Sequence, residues 1–305
     1  MFWAVVLAGG EGVRLRPLTR RVAGDERPKQ YVRLIGPQSL LRQTLDRVAR
    51  LAPAERTVIV TQRRHAGYLG SEVSGASGLR ILAQPEDRGT AAGILFPAHW
   101  ISVRDPEATV AIFPSDHFVR EEDLLMGCVA EAAAAVGRDP GRIVLLGARP
   151  SDADPGYGWI EPGRALAEAG TALYRVKRFW EKPTAERAKR CLDQGCLWNT
   201  LILVARASLL LTAAERLLPA LSGRLARISA FAGTEEEPWA VQQAYALAPS
   251  ASFSRAFLEA APFLLAVRAL PPLLWSDLGT PERVLRMLER LGLEPPWLPT
   301  AARSA

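Results

Sequence analysis

The sequence predicts an α/β protein with a doubly wound, mostly parallel, Rossmann-like sheet. Short apolar runs alternate with segments long enough to hold a helix, which is the pattern of strands joined by helical crossovers. In addition, the apolar run from Phe2 to Ala8 is followed by three glycines, which let bare backbone amides face outward from a strand end. Because ligands of such sheets bind beyond the carboxyl ends of the strands, a site is expected there.

The elements of the amino-terminal half follow in chain order. Apolar residues repeat at helical spacing behind Ser39, a capping residue type, and predict a helix over 38–51. The alanine-rich stretch 130–136 also has good helix composition. Short apolar runs predict buried strands at 57–61, 79–83, 109–113 and 143–148.

After Pro150 the pattern changes. A turn at 154–158, an extended stretch at 159–161 and a strand at 174–180 predict a small antiparallel excursion beside the main sheet. Thr280 and Pro281 predict the cap and first residue of a last helix that ends near Leu291. In between, the sequence predicts a helix at 184–192, a strand at 197–204, two or three helices within 208–247 and a strand at 263–267.

Composition limits the classes of protein. No apolar run is long enough to cross a membrane, and the net charge of +6 comes from scattered arginines without a dense basic run, so neither a membrane nor a nucleic-acid partner is expected. The three cysteines form neither a disulfide framework nor a metal site, and no export signal is recognisable, so we expect a cytoplasmic protein. The oligomeric state is open, and a homodimer is compatible with the sequence.

The glycines after the first strand predict an anion cradle. Gly9, Gly10 and Gly12 expose amides, and Arg14, Arg16 and Lys29 add full positive charge nearby, so the expected occupant is a polyphosphate. A dinucleotide fingerprint is disfavoured because its third glycine position is Leu15, with Pro17 following. A P-loop is excluded because Gly12 is followed by Val13.

A second group of polar residues follows the strand at 109–113. Asp116, in the run Phe-Pro-Ser-Asp-His, lies where an α/β sheet presents its ligands and can hold Mg²⁺ together with substrate phosphate oxygens. His117 is interpreted as structural, because a substrate that is already a phosphate needs no general base.

Ten residues of the amino-terminal segment resemble the signature of the sugar-phosphate nucleotidyltransferases, and later motifs resemble the mannose-1-phosphate guanylyltransferases within that family. The ten are Gly9, Gly10, Gly12, Arg14, Leu15, Pro17, Leu18, Thr19, Pro28 and Lys29. The later motifs are the runs 84–92, 113–117, 157–161, 179–183, 197–200 and 275–279.

The resemblance implies a role for each set of residues. Arg14, Lys29 and Asp116 would be catalytic, and Asp116 with Asp277 would bind Mg²⁺. The nucleotide would contact Gly9, Gly10, Gly12, Gln84, Gly89 and Thr90. The sugar phosphate would contact Gly158, Glu181, Lys182 and Asn199.

Structural alternatives stay open for several of these residues. Asp116 and Thr90 could be helix caps, and Asp277 could be a turn residue before Thr280. Glu181 and Lys182 could be an exposed pair at a strand end.

The sequence departs from the resembled pattern at two places. Leu201 stands where a glycine usually follows Trp-Asn-Thr, and within the stretch 254–260 an aspartate, an aromatic residue and a lysine of the resembled pattern are replaced. These departures indicate an altered sugar pocket.

The resemblance implies that the protein transfers a nucleotidyl group from a nucleoside triphosphate, GTP, to a sugar 1-phosphate, mannose 1-phosphate, giving GDP-mannose and pyrophosphate. The alternatives are a glucose-1-phosphate uridylyl- or thymidylyltransferase and a catalytically weak regulatory or sensor homologue. The expected organisation is a catalytic domain over 1–292, with its sugar-side portion at about 151–270, and a short tail at 293–305 without a β-helix domain.

Overall fold

A computed structural model describes residues 1–73, 77–166 and 172–298 of the chain. The helices in these residues are α1 (Arg16–Ala23), α2 (Leu40–Val48), α3 (Ala66–Val73), α4 (Gly89–Arg104), α5 (Glu122–Arg138), α6 (Ala185–Asp193), α7 (Ala207–Leu217), α8 (Pro219–Ala226), α9 (Glu237–Leu247) and α10 (Pro281–Leu291). The strands are β1 (Phe2–Ala8), β2 (Thr57–Gln62), β3 (Arg80–Gln84), β4 (Thr109–Pro114), β5 (Phe118–Val119), β6 (Ile143–Ala148), β7 (Gly158–Ala165), β8 (Leu173–Glu181), β9 (Leu197–Arg206), β10 (Leu265–Ala269) and β11 (Trp275–Ser276).

The main sheet joins nine of the described strands in the order β3-β2-β1-β4-β9-β6-β10-β8-β7. Its first four strands are all parallel, as the alternation of strands and helices predicts. These four strands form the half of the sheet in which β1 delivers the glycine-rich loop, and we call them the parallel half.

The prediction of a mostly parallel sheet is wrong for the other half. β9 inserts between β4 and β6 and runs antiparallel to both. β7 and β8 form the predicted antiparallel excursion and lie at one edge of the same sheet. Only the β6–β10 pairing is parallel among the described strands of this half. The physical reason is that strand direction depends on long-range pairing, which local apolar pattern does not encode.

Helices cover both faces of the sheet, which is the arrangement expected of a doubly wound fold. Alternate residues of β1 point to opposite faces: Val5 belongs to a core that includes residues of α4, α7 and α9, and Val6 belongs to a core that includes residues of α2 and α5. A third, smaller core around Leu34 and Leu278 joins α1 and α10 beside the carboxyl edge of the parallel half.

A small sheet that the sequence did not predict brings two distant segments together. β5 and β11 pair antiparallel, with Ser276 opposite Phe118 and Trp275 opposite Val119. Asp116 lies just before β5 and Asp277 just after β11, so this pairing sets the two aspartates at the same place in the fold.

The local predictions agree with the structure in several places. Ser39 accepts the amide hydrogen of Arg42 at 3.0 Å as the cap of α2, and Thr280 caps α10. The predicted region 208–247 holds α7, α8 and α9. No helix of the described residues is long and apolar enough to cross a membrane. Residues 299–305 of the predicted tail lie outside the described residues.

Candidate active site

The glycine-rich loop is held open by side chains from neighbouring segments. Gln30 donates from its Nε2 to the carbonyl oxygens of Ala8 (3.0 Å) and Gly10 (2.9 Å), which fixes the loop where it leaves β1. Gly9 packs against the side-chain amides of Gln62 and Gln84, at the ends of the two neighbouring parallel strands. The loop is therefore built at the carboxyl edge of the parallel half, as the sequence predicts.

A cavity of about 240 Å³ lies directly beyond this loop. Of the predicted catalytic residues, Arg14, Lys29 and Asp116 all line it. Arg16, also considered as a cation for this site, instead pairs with Glu11 at 3.3 Å. The complete lining is Glu11, Gly12, Val13, Arg14, Leu15, Lys29, Asp116 and Gly279.

Lys29 is the most constrained residue of the cavity, with 6% of its surface exposed. Its Nζ lies 3.2 Å from Asp116 Oδ2 and donates to the carbonyl oxygens of Asp277 and Leu278. Leu278 has a φ of 48°, which is unusual for a leucine and brings both carbonyls to the same ammonium group. The ammonium group is thus fixed in place before any ligand arrives.

The carboxylate of Asp277 faces Arg283 rather than Lys29. Both of its oxygens accept from Arg283 Nη1 at 2.8 Å, and Oδ1 also accepts from the Tyr157 hydroxyl at 3.1 Å and the Gly279 amide at 2.9 Å. Burial by itself raises the pKa of Asp277, but the neighbouring Lys29, His117 and Arg283 outweigh it and hold the pKa below the ordinary value. Asp277 is therefore a buried, ionised carboxylate, and its Asx contact with Gly279 agrees with the turn-residue alternative.

The two aspartates differ in how well they fit Mg²⁺. Asp116 is 28% exposed and lines the cavity, so its oxygens can reach a metal that also binds phosphate. Asp277 would have to share its oxygens with Arg283. Among the described residues no three His, Cys, Asp or Glu side chains form a metal-holding group, so Mg²⁺ here would depend on ligand oxygens for the rest of its coordination.

Asp116 and His117 lie side by side between the cavity and β11. Asp116 is not a helix cap, since β5 rather than a helix follows it. His117 packs edge-on against Trp275 with ring centroids 5.4 Å apart, and burial lowers its pKa. A buried imidazole packed on an indole agrees with the structural interpretation of His117.

The predicted nucleobase loop is locked to a distant segment. A Cβ at Gly89, where φ is 78°, would lie 2.4 Å from the carbonyl oxygen of Ala251, so only glycine fits. The Thr90 hydroxyl accepts from the Phe253 amide at 2.8 Å, and the Gly89 amide donates to Asp87 Oδ1 at 2.8 Å. The alternative in which Thr90 caps α4 is therefore wrong.

Gln84 lies at the end of β3, where it is 4% exposed. Its Oε1 accepts from the Tyr245 hydroxyl at 3.0 Å, and its amide nitrogen lies beside Gly9. Gln84 therefore connects the glycine-rich loop with α9, whereas Gly89 and Thr90 hold the following loop.

Three of the predicted sugar-phosphate residues form one cluster. A Cβ at Gly158 would lie 2.9 Å from Glu181 Oε2 and 3.2 Å from the Asn199 Cβ, so the absence of a side chain there lets the other two meet. Asn199 Oδ1 accepts from the Leu201 amide at 3.0 Å, which leaves its Nδ2 as a donor. The cluster thus offers an acceptor, Glu181, beside a donor, Asn199.

Glu181 lies in an environment that opposes its charge. Burial raises the pKa of Glu181 above the ordinary carboxyl value, and Glu259 adds to the effect. Lys182, Arg255 and a hydrogen bond with Ser254 act in the opposite direction and only partly offset it. Three of these neighbours, Ser254, Arg255 and Glu259, belong to the stretch 254–260, in which Ser254 and Arg255 depart from the resembled pattern.

Lys182 and Leu201 both have left-handed backbone conformations, with φ of 50° and 56°. Lys182 Nζ lies 3.8 Å from Glu181 Oε1, and its side chain is 55% exposed. Glycine adopts the conformation of Leu201 without strain, which accounts for the glycine of the resembled pattern.

The sugar-side cluster and the Lys29 cavity are separate but connected. None of Gly158, Glu181, Lys182 and Asn199 lines the cavity at Lys29. Tyr157, which precedes Gly158, joins the two through its hydrogen bond to Asp277.

Sequence reasoning missed Arg283 and Tyr157. Arg283 is 8% exposed, bridges Asp277 and Asp154, and stacks over the Tyr157 ring at 3.8 Å. Its position on an amphipathic helix reads as an ordinary surface arginine. Asp277 is a near neighbour in the chain, but Asp154 and Tyr157 come from the distant segment before β7 and are brought to Arg283 by the fold.

The sheet presents a glycine-rich loop and the buried Lys29 at the carboxyl ends of its parallel strands, an arrangement typical of proteins that bind phosphorylated ligands. Residues 3–291 match the family described as "Nucleotidyl transferase". The chain belongs to this family.

Two curated relatives are similar over most of this chain. "Xanthan biosynthesis protein XanB" of Xanthomonas campestris pv. campestris (strain B100) is 30% identical over 294 residues, covering 94% of this chain and 60% of the relative. "Mannose-1-phosphate guanylyltransferase" of Sinorhizobium fredii (strain NBRC 101917 / NGR234) is 29% identical over 290 residues, covering 93% and 54%. The chain thus spans little more than half the length of these relatives.

Solved structures share the fold. A protein of Thermus thermophilus described as "mannose-1-phosphate geranyltransferase" superposes with a TM-score of 0.80 at 28% identity, covering 97% of this chain and 80% of that chain. A protein of Helicobacter pylori described as "mannose-6-phosphate isomerase" has a TM-score of 0.69 at 20% identity, covering 90% of this chain and 99% of that chain, and bears on the fold alone.

Proposed function

We propose that this protein transfers the guanylyl group of GTP to mannose 1-phosphate and releases pyrophosphate. The observation that carries the proposal is the buried ammonium group of Lys29, which lies 3.2 Å from Asp116 in the cavity that Arg14 and Gly12 also line. A fixed cation beside a carboxylate and exposed amides suits a reaction in which negative charge develops on a leaving pyrophosphate.

The reaction follows from the charges at the cavity. A phosphate oxygen of the sugar phosphate attacks the α-phosphorus in line, the bond to the bridging oxygen breaks, and the electron pair leaves with pyrophosphate. Arg14 and Lys29 bind the triphosphate oxygens and stabilise the charge that grows on them. Asp116 and Asp277 would hold Mg²⁺, which would supply further charge neutralisation.

The sugar-side cluster suits a hydroxylated ring. Glu181 accepts from one hydroxyl while the Asn199 Nδ2 donates to another, and Lys182, with its half-exposed side chain, binds the sugar phosphate as a compact charge. Gln84, Gly89 and Thr90 lie on the side of the site where the nucleobase of the triphosphate binds.

The names of the relatives support mannose and GTP. A relative of this chain is called a mannose-1-phosphate guanylyltransferase, and so are others at about the same identity, including one of Klebsiella pneumoniae that is 30% identical over 222 residues. Glucose 1-phosphate with UTP or dTTP is the alternative, because glucose differs from mannose only at the 2-hydroxyl. This alternative is kept because Ser254 and Arg255, which depart from the resembled pattern, lie next to Glu181 in the sugar-side cluster.

The test is a matrix of nucleoside triphosphates and sugar 1-phosphates, with pyrophosphate release as the measurement. We expect the highest kcat/KM for GTP with mannose 1-phosphate in the presence of Mg²⁺. A preference for glucose 1-phosphate with UTP or dTTP would contradict the proposed sugar and nucleobase but would agree with the proposed reaction class. Binding of substrates without turnover across the matrix would instead identify a sensor.

A further inference from the structure

A second cavity, larger than the one at Lys29, lies between the first helices of the chain. Its volume is about 410 Å³, which is large enough for a mononucleotide or a sugar phosphate. We call it the arginine groove. It is lined by Val22, Ala23, Arg27, Tyr31, Val32, Arg33, Pro37, Gln38, Ser39, Arg42, Ser71 and Glu72.

The charge of the arginine groove is dominated by three guanidinium groups, those of Arg27, Arg33 and Arg42. The single acidic residue of its lining is Glu72, whose carboxylate accepts from the Ser39 hydroxyl at 2.5 Å. Arg27 and Arg42 each pair with a carboxylate outside the lining, Asp25 and Asp46, so Arg33 is the cation that makes this groove attractive to an anion.

The three arginines differ in how they are held. Arg33 is exposed and has no ion-pair or hydrogen-bond partner within the described part of the chain. Arg27 pairs with Asp25 at 2.8 Å and Arg42 pairs with Asp46 at 2.7 Å, and both pairs are at least one-third exposed. Exposed pairs of this kind contribute little free energy, so a doubly charged phosphate can compete for both guanidinium groups.

We propose that the arginine groove binds a phosphorylated small molecule at a site distinct from the Lys29 cavity. The arginines bind the phosphate in the bidentate manner that guanidinium groups favour, and the apolar wall of Val22, Ala23 and Pro37 packs against the organic part. The proposal does not depend on the reaction proposed above.

The arginine groove is separate from the Lys29 cavity, but the segment 29–31 contributes a residue to each. No lining residue is common to the two cavities. Tyr31 lines the groove two residues after Lys29, and its hydroxyl bonds to the carbonyl oxygen of Ala8 at 3.2 Å. A ligand in the groove therefore contacts the outer side of the segment that carries Lys29.

Isothermal titration calorimetry of the full chain tests the proposal, with inorganic phosphate, AMP and glucose 6-phosphate as probes at low ionic strength. We expect at least one probe to bind at one site per chain in both the wild type and Lys29→Ala. Arg33→Glu should weaken that binding at least tenfold, because it reverses the exposed charge that no partner neutralises. The preferred probe distinguishes free phosphate, a nucleotide and a sugar phosphate as the source.

Two further variants complete the test. Arg216→Glu changes the net charge equally at an exposed position on α7 and should leave the affinity unchanged. Arg42→Gln should weaken binding several-fold, and a melting curve checks that each variant is folded. The proposal is overturned if no probe binds, if binding disappears in Lys29→Ala, or if neither groove variant weakens it.

Discussion

Two carboxylates of the site, those of Asp277 and Glu181, are held in opposite ways. Asp277, which follows the small β5–β11 sheet, lies among Lys29, His117 and Arg283, and its pKa is lowered. On the antiparallel side, Glu181 is buried with too little compensation, and its pKa is raised. The first carboxylate stabilises the fold as an anion, whereas the second is ionised at a cost that a hydroxylated ligand can offset.

Strained backbone occurs on both sides of the site. Lys182 and Leu201 lie in the antiparallel half and have positive φ, which costs on the order of 1–2 kcal/mol for each such residue. Leu278, whose carbonyl oxygen accepts from Lys29, also has a positive φ. The two sides therefore differ in how their carboxylates are compensated and not in backbone strain.

The largest effect should come from breaking the charge network. Arg283→Ala leaves Asp277 and Asp154 without their common cation, and we expect a loss of about 3 kcal/mol in the free energy of unfolding. Arg286→Ala is the control, because its pair with Asp152 is about half-exposed and should contribute less than about 1 kcal/mol. Urea unfolding measures both, and equal losses would contradict the comparison.

Lys29→Ala should lower kcat by about 100-fold or more, as expected when one preorganised charge-stabilising donor is removed. The exposed Lys177 pairs with Glu161 on the antiparallel side, and Lys177→Ala serves as the control with unchanged kcat. Steady-state pyrophosphate release is the measurement. Activity of Lys29→Ala within a few-fold of the wild type would remove Lys29 from the mechanism.

Glu181→Gln should raise the melting temperature at pH 7 while abolishing most activity. Because the folded-state pKa of Glu181 is raised, the folded protein binds the carboxyl proton more tightly than the unfolded chain does. The stability of the wild type therefore falls as pH rises from the ordinary carboxyl pKa through the raised pKa. The glutamine variant has no charge to bury, so the difference between its melting temperature and that of the wild type should shrink as pH falls toward the ordinary carboxyl pKa.

Asp277→Asn should change the melting temperature in the opposite direction in the same experiment. It removes one of the two carboxylates that pair with Arg283 and should lower the melting temperature at pH 7. If both variants change the melting temperature in the same direction, the contrast between the two carboxylates is wrong.

The smallest effect concerns Leu201. Leu201→Gly relieves the left-handed strain and should stabilise the protein by up to about 1 kcal/mol, because the partly buried side chain it removes offsets some of the gain. Leu209→Gly, in α7, should destabilise by about 1 kcal/mol or more, since glycine lowers helix stability. Thermal unfolding distinguishes the two outcomes, and a destabilised Leu201→Gly would show that its side-chain packing outweighs the strain.

The features that could be predicted from the sequence are those that depend on near neighbours in the chain. The glycine-rich loop after β1, the caps at Ser39 and Thr280 and the buried strands of the parallel half all arise from local propensity and periodicity. Arg14, Lys29 and Asp116 could be named in advance, because the motifs that carry them are continuous in the chain, and they line one cavity.

The insertion of β9, the pairing of β5 with β11 and the contact of Asp277 with Tyr157 could be learned only from the folded chain. Each depends on contacts between segments far apart in the chain, and an apolar run is compatible with either strand direction and with several registers. For the same reason Arg283 looked like a surface residue and Glu181 like half of an exposed pair. Burial and charge at a side chain are properties of everything packed around it, and the sequence near that residue contains only part of that information.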